Sequence, residues 1–161
     1  QESSNKIIQA GEIVSFDTDM VGPYGYCADI SRTYVEGNKF SESQKKLYLM
    51  AVEQINHNSR LIKPGMSFKE FTEKSWILPE EYYGNRYSVM VHGIGLCDEW
   101  PAIRYPTDGG ERNGVFETNM TITVESYIGK VGGKEGVKLE QQYLVGQNGL
   151  ELMSHHPLED I

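Results

Sequence analysis

At 161 residues, 39% of them hydrophobic and 24% charged, the chain can bury one domain's core and has the make-up of an ordinary globular protein. A net charge of −8 argues against a nucleic-acid partner, which calls for a basic face, and no apolar run approaches membrane-spanning length, so neither nucleic acid nor membrane is expected as a partner. Two cysteines, Cys27 and Cys97, are too few for a disulfide framework and read as reduced thiols of a cytoplasmic protein.

The opening QESSNK lacks a signal peptide's charged and apolar regions, and a first residue of Gln rather than Met reads as a fragment or a processed product. Residues 1–11 are a polar lead-in ending at Gly11. The stretch from Ile13 to Thr33 then reads as two strands joined by a Gly/Pro turn at Gly22, Pro23 and Gly25, running on to about Val35 and closed by Glu36-Gly37-Asn38. Asp17 and Asp19, two apart on the first strand, project to one face, and a turn centred near Tyr24 sets Asp29 roughly opposite Asp19. Three carboxylates that close are costly unless a cation neutralises them, although Asp-rich hairpins also simply solvate a turn.

Ser41 with Gln44 is a capping box that opens a helix whose apolar stripe is Leu47, Ala51, Ile55 and Ile62, stopped by Pro64-Gly65. Ser67 with Glu70 repeats the pattern and predicts a shorter helix from Phe68 to about Trp76, ended by Pro79. A short strand is expected over Arg86 to Val91, turning out sharply at His92-Gly93-Ile94-Gly95, and residues 101–113 read as a surface loop. Residues 119–127 alternate and are β-branched, and a Gly-rich turn leads to a last strand from Val137 to Val145. Past Gly149 the tail is unpatterned, and its His155 and His156 read as solvated. The whole is an α+β protein in which strands dominate and two helices follow the first hairpin.

Three further residues are placed as ligands are. His92 ends a strand beside glycines that admit close backbone approach, and Glu125 and Glu140 each lie inside an otherwise apolar strand. Pairing across the 129–136 turn sets Glu125 and Glu140 side by side. Taken singly, each has an ordinary explanation in core or surface polarity. The ordered set Asp, Asp, His, Glu, Glu on successive strands offers oxygen and imidazole donors without thiolate, which suits a pair of bridged divalent ions such as Fe, Mn, Co or Zn.

The succession DTD…GYCADISRT, HGIG, TVES and GVKLEQQYLV resembles the pita-bread metallohydrolases, namely methionine aminopeptidase, aminopeptidase P, prolidase and creatinase. That resemblance implies a pita-bread fold, with residues 1–161 as the C-terminal part of the catalytic domain and both the N-terminal domain and the first part of the catalytic domain absent. It also implies a homodimer in the full-length protein.

Four features depart from the peptidases of that fold. Asp19 and Asp29 are ten apart rather than eleven, and Asp17 adds a carboxylate. The second His expected seven residues after the ligand His is missing, and Asp98, six after His92, stands in that region. Glu125-Ser126-Tyr127 replaces the usual Glu-Pro-Gly, and Tyr87 lies where peptidases vary. A His that polarises a peptide carbonyl is exchanged for a potential general base, which favours proton abstraction over amide hydrolysis.

The altered pattern resembles the metallopeptidase-like dimethylsulfoniopropionate (DMSP) lyases of the DddP type, which cleave DMSP to dimethyl sulfide and acrylate. The resemblance implies Asp17, Asp19, Asp29, His92, Glu125 and Glu140 as metal ligands, iron as the metal with Mn, Zn or Co as alternatives, and Tyr87 and Asp98 as the catalytic pair. The residues leave open which of those two is the base. Trp100 and other aromatics offer faces to a sulfonium cation, or are packing residues. The rival readings are an Xaa-Pro aminopeptidase or dipeptidase with a dinuclear metal site, and a non-catalytic protein that binds in the groove.

Overall fold

The computed structural model describes residues 5–37, 39–110, 113–159 and 161. In chain order its elements are β1 (Ile13–Asp17), β2 (Met20–Val21), a 3-10 turn at Pro23–Gly25, β3 (Cys27–Ala28) and β4 (Ser31–Val35). Then come α1 (Glu42–Leu61), α2 (Phe68–Lys74), α3 (Glu80–Tyr83), β5 (Val89–Gly93), β6 (Ala102–Arg104), β7 (Thr121–Gly129), β8 (Gly136–Val145) and β9 (Leu150–Leu152).

β5 to β9 form one antiparallel sheet in the order β6-β5-β7-β8-β9. α1 and α2 cover one face, where Tyr48, Ala51, Ile55, Phe71 and Phe116 are fully buried with Val124, Ile128 and Leu139 of the sheet. The capping box holds as read: Ser41 Oγ accepts from Gln44 N at 3.3 Å and Gln44 Oε1 accepts from Ser41 N at 2.8 Å. The buried face of α1 is more polar than its sequence suggests. Gln54 donates to the Tyr105 hydroxyl at 2.5 Å and accepts from Ser126 at 2.6 Å, which satisfies a buried amide that hydrocarbon cannot.

β1 pairs with β4 from Ile13↔Val35 to Asp17↔Ser31, and β2 pairs with β3. β4 lies against β8 through side chains rather than a ladder. Thr33 Oγ1 donates to Lys138 O at 2.6 Å and accepts from Lys138 N at 3.1 Å, and Arg32 donates to Glu140 O at 2.6 Å. The hairpin carboxylates are thereby set over the middle of β8.

Several expectations are corrected. The first hairpin is two short ladders, because Asp19 takes a left-handed φ of 36° between β1 and β2. α2 ends at Lys74, and Pro79 caps α3 instead of ending α2. β5 starts at Val89, so Arg86 and Tyr87 lie in the irregular segment before it, and His92 is inside the strand. Residues 102–104 and 150–152 are edge strands where a loop and an unpatterned tail were expected. Asn38, in the expected turn, and residues 111–112 of the expected loop lie outside the described residues.

Candidate metal centre

Glu125 and Glu140 are direct partners in the β7–β8 register, and His92 is paired to Thr123 on the neighbouring strand. Three adjacent strands therefore bring two carboxylates and an imidazole to one spot. All are buried, with Glu140 at 0% exposure. His92 Nε2 lies 3.1 Å from Glu140 Oε1, 3.7 Å from Glu125 Oε1 and 3.9 Å from Asp29 Oδ2. One donor atom from each of Asp29, His92 and Glu140 falls within 4.8 Å of the others.

The hairpin supplies the other side. Asp29 Oδ1 accepts from Asp19 N at 3.3 Å, and Asp29 N donates to Gln142 Oε1 at 3.2 Å, which ties the hairpin to β8. Donor atoms of Asp19, Asp29 and Asp98 make a second group within 4.8 Å, so Asp29 belongs to both groups. Asp17 is in neither group. Its Oδ1 lies 2.6 Å from Ser31 Oγ and its Oδ2 lies 3.5 Å from Lys138 Nζ. The left-handed backbone at Asp19 separates the two side chains that strict alternation puts on one face.

Lys138 is the site residue that the sequence reading missed. It sits two residues before Glu140 on β8, hence on the same face, and is 5% exposed. Its ammonium pairs closely with Glu125 Oε2 and reaches Glu140 Oε2 at 3.5 Å. The available signal was a Lys inside an apolar strand, two places from a suspected ligand.

Gly93 places the catalytic candidates. A Cβ there would collide with the Trp100 carbonyl, so only glycine lets residues 98–101 fold back over β5. Gly93 N donates to Pro101 O at 2.9 Å in that crossing. Asp98 and Tyr87 are both exposed on the rim. Tyr87 donates its hydroxyl to Glu99 Oε1 at 3.1 Å, and Asp98 Oδ1 accepts from Glu99 N at 3.0 Å. The two are linked through Glu99 rather than to each other. Trp100 is 62% exposed, His155 and His156 are exposed, and His156 Nε2 lies 2.8 Å from the Tyr34 hydroxyl.

Proton affinities follow from that crowding. Burial opposes a charged imidazole, but the hydrogen bond to Glu140 and the charges of Glu125 and Glu140 raise His92 to about 9. Burial, only partly offset by Lys138, raises Glu125 to about 8. Burial and then the charge of Glu140 raise Asp29 to about 7. Glu140 also feels burial, yet the His92 hydrogen bond and the Lys138 charge hold it well below the usual carboxylate range. Burial and the charges of Glu125 and Glu99 push the Tyr87 phenol upward. Partial burial and the charge of Asp19 raise Asp98.

The residues fit a divalent metal. Glu125 Oε1 is buried and has no hydrogen-bond partner among the described residues, and it points to the same space as His92 Nε2. An orphaned carboxylate oxygen in such a place is what a cation relieves. The donors are oxygen and imidazole, the preference of Mn, Fe, Co and Zn ions. Cys27 and Cys97 are free thiols, not joined in a disulfide.

Residues 1–147 match the model of metallopeptidase family M24. The chain is 39% identical to "Dimethylsulfoniopropionate lyase DddP" of Roseovarius nubinhibens and 37% identical to its namesake in Roseobacter denitrificans. Each alignment covers 99% of this chain and 36% of the relative, so the chain spans about a third of the length of those relatives. Among solved structures, the prolidase from Pyrococcus horikoshii OT3 superposes with a TM-score of 0.81 at 28% identity, covering 99% of this chain and 44% of that one. The prolidase from Pyrococcus furiosus does so with a TM-score of 0.77 at 30% identity, covering 93% and 43%. On its sequence match and its pita-bread fold, the chain belongs to metallopeptidase family M24, whose members use a divalent metal.

Proposed function

We propose that this chain carries the metal-binding core of a lyase that cleaves DMSP to dimethyl sulfide and acrylate by base-promoted β-elimination. The observation that carries this reading is Asp98. A carboxylate raised above its ordinary range stands on the rim of the metal centre, beside Asp19 and Asp29, in the region where the resemblance to the peptidases of this fold leads one to expect a histidine. Identity points the same way, at 37–39% to two lyases against 28–30% to the two prolidases. Because the chain spans 36% of those lyases, the activity is proposed for the protein that contains it.

In this reading Asp17, Asp19, Asp29, His92, Glu125 and Glu140 hold a pair of divalent ions, with iron the metal. Such ions supply Lewis-acid stabilisation of negative charge developing on a bound substrate carboxylate. Asp98 takes the proton from the carbon next to that carboxylate. The released pair forms the carbon–carbon double bond, the carbon–sulfur bond breaks, and dimethyl sulfide leaves neutral. Tyr87 acts as a hydrogen-bonding residue, because a phenol pushed upward keeps its proton at neutral pH and makes a poor base. A homodimer in a cytoplasmic setting belongs to the same proposal. Among the described residues no helix is long and apolar enough to cross a membrane.

Headspace detection of dimethyl sulfide from purified protein given DMSP, beside an Asp98→Ala variant, tests the reading. Release that disappears in the variant supports it. Cleavage of an Xaa-Pro dipeptide with no dimethyl sulfide overturns it in favour of a peptidase, the activity named for the prolidase structures.

A further inference from the structure

Glu125 and Glu140 each have two oxygens, and the structure divides them. Lys138 Nζ takes Glu125 Oε2 in a close ion pair and stands 3.5 Å from both Glu140 Oε2 and Asp17 Oδ2. Ser31 Oγ lies 2.8 Å from the same Glu140 Oε2 and 2.6 Å from Asp17 Oδ1. What remains is Glu140 Oε1, 3.1 Å from His92 Nε2, and Glu125 Oε1, buried without a hydrogen-bond partner among the described residues. The oxygens on one side of each glutamate are thus engaged by the protein, while those on the other side converge with the imidazole.

We propose that Lys138 is a positioning residue of the metal centre: by holding the outer oxygens of Glu125 and Glu140 it turns their inner oxygens toward His92. The inference rests on the ligand set proposed above. Glu140 Oε1 and Glu125 Oε1 would thus be the oxygens presented to an ion on the His92 side. Metal ligands held by outer contacts of this kind lose affinity and geometry when the contact is removed.

Charge supports the assignment. Asp17, Asp19, Asp29, Glu125 and Glu140 carry five negative charges when ionised, and the Lys138 ammonium leaves four, the charge of two divalent ions. A buried ammonium without those carboxylates would be untenable, and the carboxylates without it would repel one another. Lys138 also reaches the rim. Its Nζ lies 4.9 Å from the centre of the Tyr87 ring, within cation–π range, so the ligand set and the Tyr87 side chain share one cation.

The test uses purified wild-type, Lys138→Gln and Lys138→Arg proteins, stripped with a chelator and titrated with manganese(II) by calorimetry and with cobalt(II) by visible absorption. Lys138→Gln is expected to weaken manganese binding by about 10- to 100-fold. Lys138→Arg keeps the charge and most of the affinity. Both variants are expected to shift the cobalt absorption, because Glu125 and Glu140 lose the contact that fixes which oxygens bind. Should Lys138→Gln fail to fold, the cobalt spectrum of Lys138→Arg decides, since a role in charge balance alone leaves it unchanged. Cobalt spectra that superimpose on the wild-type spectrum, or a Lys138→Gln affinity within about twofold of wild type, overturn the proposal. A wild-type protein that takes up neither metal overturns the ligand assignment itself.

Discussion

His92 Nε2 and Glu140 Oε1 lie 3.1 Å apart in a fully buried setting, and the hydrogen bond to Glu140 with the charges of Glu125 and Glu140 favours a proton on the imidazole against the cost of burial. A metal needs that same nitrogen without its proton. With His92 raised to about 9, Glu125 to about 8 and Asp29 to about 7, metal uptake at pH 7 must expel protons. We expect release of about two protons per chain at pH 7, falling toward none above pH 9, and apparent affinity that climbs with pH through that range. Zinc titrations in buffers of different ionisation enthalpy measure the count. No proton release at pH 7 would show that His92 and Glu125 do not hold these protons before the metal binds.

The same groups make the metal-free fold sensitive to pH in a defined direction. The folded state binds protons on His92, Glu125 and Asp29 that the unfolded chain has released, so stability falls as pH rises. For His92 the contribution is fully present below about 6.5 and is lost as pH passes about 9. Glu140 works oppositely, since its depressed value stabilises the fold above about 4.5 and that support is lost on acidification below it. Metal-free protein should therefore melt highest near about pH 5 and progressively lower toward pH 9, while added manganese should raise Tm most at the alkaline end. Melting curves that rise with pH in the absence of metal contradict this assignment of protons.

Asp98 and Tyr87 can be separated by kinetics. Asp98→Asn removes the proposed base and keeps its shape, so dimethyl sulfide production should fall by about 100- to 10,000-fold. Wild-type activity should rise with pH through the raised Asp98 value, because only the carboxylate accepts a proton. Tyr87→Phe removes one hydrogen bond to Glu99 and should cost far less, leaving the pH profile in place. The reverse ranking, with Tyr87→Phe inactive and Asp98→Asn active, exchanges the two roles.

How much of this was legible in the sequence depends on how local each cause is. The Glu125–Glu140 pairing was readable because two alternating runs flank a Gly-rich turn, which leaves one register that buries both apolar faces. His92 was readable from the glycine beside it, whose bareness the Trp100 crossing requires. Lys138 was not, since a lysine on a strand ordinarily faces water and its burial here depends on three carboxylates from β1, β7 and its own strand. β6 and β9 were hidden for a related reason, being three-residue edges flanked by Pro or Gly whose ladders are set by β5 and β8. Asp19 misled because period-two reasoning assumes extended backbone, and its φ of 36° breaks that assumption.

Arg32 shows how the segment after β9 is tied to the site. Its Nε donates to Pro157 O at 3.0 Å, and one terminal nitrogen donates to Ser31 O at 2.8 Å and Glu140 O at 2.6 Å. The other donates to Gln141 Oε1 at 2.7 Å and closely to His156 O. A guanidinium satisfies these acceptors because its donors fan out in one plane, whereas a lysine ammonium in Arg32→Lys cannot span from Pro157 to Glu140. Each buried acceptor left unpaired costs about 1–3 kcal/mol, and each kcal/mol lowers Tm by about 2–4 °C in a chain of this size. The variant should also free the tail, so the Met153 and Ser154 amides, which bond to Gln142 O in the wild type, should exchange with deuterium faster. Because Glu140 O is among the orphaned acceptors, manganese affinity should drop as well, although Arg32 touches no proposed ligand atom. Unchanged exchange at Met153 and Ser154 with unchanged metal affinity would show that the tail and the metal centre are independent of this arginine.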